Sequence, residues 1–221
     1  MRGKFITFEG GEGSGKSTHA EALAERLTAR GIRVVRTREP GGSPGAEIVR
    51  HILLSGMAKP LGADTETILF AAARADHVRS TIAPALASGQ WVICDRFIDS
   101  TRVYQGALGR VDMKLIRGLE RVAVGDIMPD LTVLLDVPAD IGMARAKLRR
   151  GIGAADRFEA EAIEFHEAVR KAFLILAERE PRRFVVVDGR PPRDVVADRM
   201  VRAVEQRLLS VPSGAETTAA P

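Results

Sequence analysis

"FITFEGGEGSGKST", residues 5–18, changes character halfway through. Phe5–Phe8 is a short apolar run of the kind that forms a strand buried on both faces. Gly10-Gly11-Glu12-Gly13-Ser14-Gly15-Lys16-Ser17 then fits the spacing G-x-x-x-x-G-K-S/T, and a helical pattern that includes Thr18 starts near Lys16. Strand, Gly-rich turn and helix in this order cradle phosphate. Glycine lets backbone N–H groups approach the anion, and the helix start adds unpaired N–H groups and a positive dipole end. Lys16 is placed for the β- and γ-phosphates of a nucleoside triphosphate, and Ser17 for Mg²⁺. An ordinary Gly-rich turn is the plain alternative, and the flanking strand and helix weigh against it. Glu12 is the anomaly: a carboxylate inside a loop built for anions.

Working outward, further apolar runs follow at Val34–Val35 with its neighbours, Trp91–Cys94, Leu131–Leu135 and Phe184–Val187. Helical patterns separate them: Ser17–Arg30, Thr65–Ser88, Met113–Val124, Ala139–Arg149, Glu159–Glu180 and Asp194–Leu209. Pro84 is expected to kink or shorten the second helix. Apolar strands alternating with helices require parallel pairing and right-handed crossovers. The predicted fold is an open, parallel, five-stranded α/β sheet with helices on both faces, the P-loop nucleotide-binding type. Its ligands bind beyond the C-terminal ends of the strands. One domain is expected over residues 1–210, followed by a disordered tail over 211–221, small and polar without periodicity.

Composition narrows the partners. With 221 residues and 45% hydrophobic content the chain can bury its own core. No apolar run approaches the roughly 20 residues that span a bilayer, and no signal-peptide pattern opens the chain, so a cytoplasmic protein with no membrane partner is expected. Cys94 is the single cysteine and lies in an apolar run, which rules out an internal disulfide. The four histidines (His19, His51, His77, His166) show no ligand spacing, so zinc chemistry and a histidine-based triad are poor candidates. The net charge of +4 is spread over helix ends, strand ends and the segment Arg145, Lys147, Arg149, Arg150. Without a basic stripe carrying interleaved aromatics, phosphate ligands rank above nucleic acid.

Mg²⁺ in a phosphate loop takes a partner carboxylate at the end of a buried strand. Asp95 ends Trp91–Cys94 and is preferred; Asp136 ends Leu131–Leu135 and competes. The chain carries no Asn-Lys-x-Asp segment to read guanine. Instead Arg38, Arg74 and Arg96 fall where the sheet end should be, and arginine grips phosphate bidentately. That pattern suits a kinase whose acceptor is itself phosphorylated.

Gly10–Thr18, Thr37–Gly42, Phe70 to Arg74, and Asp95-Arg96-Phe97 running on to Ser100-Thr101 and Tyr104-Gln105-Gly106 together resemble the thymidylate kinase family, from Phe5 to about Leu209. The resemblance implies transfer of the γ-phosphate of ATP to dTMP with Mg²⁺, giving dTDP for dTTP synthesis, by a homodimer. It implies that Phe70 stacks on thymine, Arg74 hydrogen-bonds the base, and Ser100, Thr101 and Gln105 line the acceptor site. Tyr104 would pack under the sugar, Arg38 and Arg96 would hold the acceptor phosphate, and Glu12 would accept from its 3′-hydroxyl. Two positions depart from the pattern: Ala73, where many members carry Asp, and Phe97, where many carry Tyr.

Arg149-Arg150-Gly151-Ile152-Gly153-Ala154-Ala155-Asp156-Arg157 reads as a lid, about residues 145–157, though a solvated inter-helix loop would look similar. Some members of the family carry a catalytic arginine in the phosphate loop just after the acidic residue, and others carry it in the lid. Here Glu12 is followed by Gly13, so the chain resembles the lid-arginine type, with Arg149, Arg150 and Arg157 as candidates and Arg145 as a candidate for packing on adenine. A phosphomonoester with its second pKa at about 6 needs no general base. Catalysis then falls to charge neutralisation by Mg²⁺, Lys16, Arg96 and a lid arginine.

Overall fold

Each apolar run forms a strand, and four of the five extend by one residue into an acid: β1 Phe5–Glu9, β3 Trp91–Asp95, β4 Leu131–Asp136 and β5 Phe184–Asp188, with β2 at Val34–Arg38. The computed structural model describes residues 2–150, 158 and 161–209, with Arg150 described only as part of its helix. The expected tail over 211–221, most of the lid, and the side chains of Arg150 and Arg157 lie outside the described residues.

The sheet runs β2-β3-β1-β4-β5 with every pair parallel. Phe8 pairs with Asp95 on one side and Val133 on the other, so β1 is central and its loop emerges between β3 and β4. The helices are α1 Lys16–Ala29, α2 Pro44–Leu54, α3 Ala63–His77, α4 Ala83–Ala87, α5 Ile98–Thr101, α6 Met113–Ala123, α7 Ala139–Arg150, α8 Ile163–Arg179 and α9 Arg193–Leu208. No described helix is long and apolar enough to cross a membrane.

The helical stretch expected over Thr65–Ser88, with a kink or shortening at Pro84, is divided. α3 passes through a π-helical turn at Val78–Ile82 into α4, with Pro84 in the first turn of α4. A proline there lacks an N–H that the wide turn would leave unpaired anyway. α8 begins at Ile163 rather than Glu159. α2 and α5 were not expected, and α5 continues into a π-helical stretch, Arg102–Leu108.

Alternation along the strands sends side chains to both faces. Ile6, Phe8, Ile93 and Val133 pack with Leu23 and Leu27 of α1 and with Met200 and Val204 of α9. On the opposite face Phe5, Val92 and Cys94 pack with Ile82, Leu86 and Phe97. Each fully buried Leu, Ile or Phe contributes about 1.5–3 kcal/mol of transfer free energy, so both faces must be covered for the sheet to persist. One buried charge is also neutralised: Asp99 takes two hydrogen bonds from Arg183, at 2.6 and 2.8 Å, which ties α5 to the start of β5. The carboxyl ends of β2 and β3, at Arg38 and Asp95, border a cavity.

Candidate active site

Gly15 caps α1 in the left-handed region and Lys16 is its first residue, so the phosphate loop leads directly into a helix start. Lys16 is buried and donates to the carbonyls of Gly10 and Gly11 at 3.2 and 2.8 Å. Burial holds its pKa below the usual lysine value and Arg96 adds to this, while Glu12, Asp95 and Glu9 oppose it. Gly13 has φ of +64°, and a Cβ there would lie 1.8 Å from the carbonyl oxygen of Gly142 in α7. A Cβ on Gly142 would in turn lie 2.3 Å from the carbonyl oxygen of Glu12. Loop and α7 therefore touch backbone to backbone, and no arginine fits at position 13.

Glu12 does not face solvent. It forms an ion pair with Arg96. Burial would raise its pKa, but the charges of Arg96, Lys16, Arg149 and His166 bring it down to about 2. The carboxylate in the cradle is thus ionised and already neutralised.

Arg96 follows the strand-ending Asp95 with a φ of 68°, unusual for a side chain other than glycine. Such a conformation costs about 1–3 kcal/mol. The surroundings supply the compensation: the buried Glu9 carboxylate accepts from the N–H of Phe97 at 2.9 Å, the N–H of Ser100 at 3.2 Å and the hydroxyl of Ser100 at 2.7 Å. Burial and the nearby Asp99 raise the Glu9 pKa to about 7 while Arg96 opposes them. The Arg96 guanidinium lies over the Tyr104 ring at 5.3 Å and also donates to Gly10 and Ser100. Phe158, Phe165 and Phe173 pack around that ring at 5.5–6.3 Å.

The Ser17 hydroxyl donates to the Asp95 carboxylate. Both are hard oxygen donors beside the cradle, which fits Mg²⁺, an ion that fills its remaining positions with water and phosphate oxygens. Asp136, the competitor, is occupied by Arg170 at 2.6 and 3.0 Å.

These groups face a cavity of about 340 Å³, of the size that takes a nucleotide-like ligand. Glu12, Lys16, Ser17, Thr18 and Asp95 line its loop side. Arg38, Phe70, Arg74, Arg96, Ser100, Thr101, Tyr104, Gln105 and Arg149 line the rest. Within it Arg38 reaches Glu47 at 3.0 Å, Arg74 reaches Glu39 at 2.7 Å, and the buried Thr101 hydroxyl has no partner among the described residues. Arg145 lies away from the cavity, donating to the carbonyls of Gly189 and Arg190 at 2.8 and 3.2 Å. Sequence reasoning missed Glu9, Glu39 and His77. The only signal for Glu9 was its place as an acid ending a buried strand.

A central parallel strand, a phosphate loop with Ser17 and Asp95 beside it, and a second cavity wall rich in arginine define a P-loop phosphotransferase with a separate acceptor site. Comparison with known proteins narrows this. A model of the family described as thymidylate kinase matches residues 8–200. The chain is 57% identical over 220 residues to the thymidylate kinase of Nitrobacter winogradskyi, covering 100% of this chain and 96% of that protein. It is 56% identical over 214 residues to that of a Bradyrhizobium strain (BTAi1), covering 97% and 95%. The crystal structure of thymidylate kinase from Ehrlichia chaffeensis superposes with a TM-score of 0.73 at 34% identity, over 92% of this chain and 99% of that one. The chain belongs to the thymidylate kinase family, whose reaction is phosphorylation of dTMP to dTDP.

Proposed function

We propose that the protein runs this reaction by direct in-line transfer, with the acceptor in the cavity beside Arg96 and the donor on the loop. A dTMP phosphate oxygen attacks the γ-phosphorus, the bond to the β,γ-bridging oxygen breaks, and ADP leaves. The acceptor is mostly dianionic near neutral pH, so no base has to remove a proton first. The difficulty is bringing two anions together, and it is met by placed positive charge. Lys16 acts on the donor phosphates and Arg96, with Arg38, on the acceptor phosphate. Ser17 and Asp95 would hold Mg²⁺, which supplies further neutralisation of the donor.

The observation that carries this reading is the ion pair between Glu12 and Arg96, which joins donor loop to acceptor wall. Glu12 would accept from the acceptor's 3′-hydroxyl while Arg96 turns to its phosphate. Phe70 and Arg74 supply a stacking face and a donor for the base, and Gln105 and Thr101, whose hydroxyl has no partner among the described residues, line the same cavity. Tyr104, whose ring packs against Phe158, Phe165 and Phe173, would lie under the sugar, where a 2′-hydroxyl would clash. The test is ADP release over dTMP, dUMP, dCMP, GMP and AMP. dTMP should be the best acceptor, and a purine preference would overturn the assignment.

Arg149 is our choice of lid arginine among described side chains. It is exposed, lines the cavity and contributes to the field on Glu12. Arg149→Ala should lower kcat by about 10²–10³-fold while KM for dTMP moves by less than about threefold. A KM effect alone would remove Arg149 from the transition state and leave Arg150 and Arg157. We place the catalytic domain at residues 1–210 with the lid at about 145–157, in a cytoplasmic homodimer. Exposed Ile48, Met57, Leu61 and Ile68 on and between α2 and α3 support self-association, which a monomer in sedimentation velocity would contradict.

A further inference from the structure

On the base side of the cavity Arg74 is the last member of a chain of buried and half-buried side chains. The Thr37 hydroxyl, at the end of β2, meets Nε2 of His77 at 2.7 Å. Nδ1 of His77, in the last turn of α3, meets Oε1 of Glu39 at 3.0 Å. The other oxygen of Glu39 accepts from Nε of Arg74 at 2.7 Å, and Nη2 of Arg74 donates to the Phe97 carbonyl at 3.2 Å. His77 is 0% exposed, Arg74 4% and Glu39 6%.

The chain is packed as well as bonded. A Cβ at Gly42 would come within 2.4 Å of both His77 Nε2 and Thr37 Oγ1, so the loop after β2 closes over it. The N–H of Glu39 donates to the Asp95 carbonyl at 2.9 Å, which fixes the start of that loop to the end of β3. The Arg74 guanidinium also lies 5.3 Å over the Phe97 ring. A carboxylate only accepts, so Nδ1 of His77 donates to Glu39, and the Thr37 hydroxyl meets the ring at Nε2.

With Nε and Nη2 committed, Nη1 is the one nitrogen of Arg74 without a hydrogen bond among the described residues, on a side chain that lines the cavity. A long, flexible side chain is thereby held in one orientation, with the two N–H groups of Nη1 left to donate. A guanidinium cannot accept a hydrogen bond. A fixed guanidinium selects a ring carbonyl and rejects an exocyclic amine, whereas a loosely held one can swing away from the amine and tolerate it.

We propose that Thr37, His77 and Glu39 are positioning residues for base selection: they hold Arg74 so that the site takes a 4-oxo pyrimidine nucleotide and rejects a 4-amino one. This rests on the reading of Arg74 as the base-contacting donor. Neither His77 nor Thr37 lines the cavity, so both act through Arg74.

The test is steady-state kinetics at saturating ATP with dTMP and dCMP as acceptors. Glu39→Gln and His77→Leu should each raise KM for dTMP about tenfold, with kcat changing less than about threefold. The dTMP-to-dCMP ratio of kcat/KM should fall about tenfold, and KM for ATP should hold. His77→Asn keeps a donor near Nδ1 and should recover most of the selectivity that His77→Leu loses. A merely structural chain would lower melting temperature in both His77 variants with KM and selectivity unmoved, and that result overturns the proposal. Should Glu39→Gln not fold, the His77 pair decides alone. Arg74→Gln separates the two levels. If its selectivity is unchanged, Arg74 does not read the base and both statements fall. If it changes while the Glu39 and His77 variants do not, only the positioning role falls.

Discussion

Lys16→Ala is expected to lower kcat by about 10³-fold or more, the upper end of what removing one preorganised charged donor costs. The reason lies in where its ammonium sits. Nζ is held on the carbonyls of Gly10 and Gly11, inside the loop and shielded from water. In that setting the cation needs no reorganisation as charge builds on the transferring phosphoryl group, and its field is not screened. The same burial disfavours the ammonium in the resting protein, with Arg96 adding repulsion, which is why its pKa is lowered. Removing a group that burial penalises should not unfold the protein. The variant is therefore expected to keep its melting temperature, or gain slightly, while losing turnover. Single-turnover kinetics beside a thermal melt would check this. Turnover near the wild-type rate would overturn the role, and loss of both activity and fold would make Lys16 a structural residue.

The fold was legible because β1, β3 and β4 are central and buried on both faces, so they read as unbroken apolar runs flanked by helical periodicity. α2 was not legible. It opens within Gly41-Gly42-Ser43-Pro44-Gly45, a run that reads as loop, yet Pro44 serves as its first helical residue and Ala46 and Leu53 are buried. α5 was hidden for a different reason. Its Asp99-Ser100-Thr101 is polar, and its first N–H groups are satisfied by Glu9, a residue far away in sequence. The phosphate loop was legible as a local motif, whereas the pairing of Asp95 with Ser17 and of Asp136 with Arg170 was not. What the sequence concealed were partnerships. Glu9 with Ser100, Glu39 with His77 and Glu12 with Arg96 each join distant segments, and only the sheet order brings them together. Gly13 shows both sides. Its identity pointed the search for an arginine toward the lid, but the cause, contact with Gly142, needed the structure.

Arg96→Ala is expected to lower kcat/KM for dTMP by about 10²–10⁴-fold. A bidentate contact with phosphate supplies two charge-assisted hydrogen bonds at about 1.5–3 kcal/mol each, and about 1.4 kcal/mol corresponds to a factor of ten. The loss has a second source. Glu12 is half-buried, and its depressed pKa of about 2 stands against burial chiefly through Arg96. Without that guanidinium the carboxylate keeps its charge through Lys16 and Arg149 but faces the incoming dianion with less opposing charge. Glu12→Gln alone should weaken dTMP use moderately, because the 3′-hydroxyl loses its charged acceptor, while ATP binding survives. In the Arg96→Ala background the same change should help, because it removes a repulsion that Arg96 had cancelled. The double variant is therefore expected to be about tenfold more active than the product of the single losses, a coupling of about 1.4 kcal/mol. If the losses simply multiply, Glu12 and Arg96 act on the acceptor independently and the link between donor loop and acceptor wall fails. If the coupling appears, the carboxylate in the anion cradle is tolerated because the arginine that grips the acceptor also neutralises it.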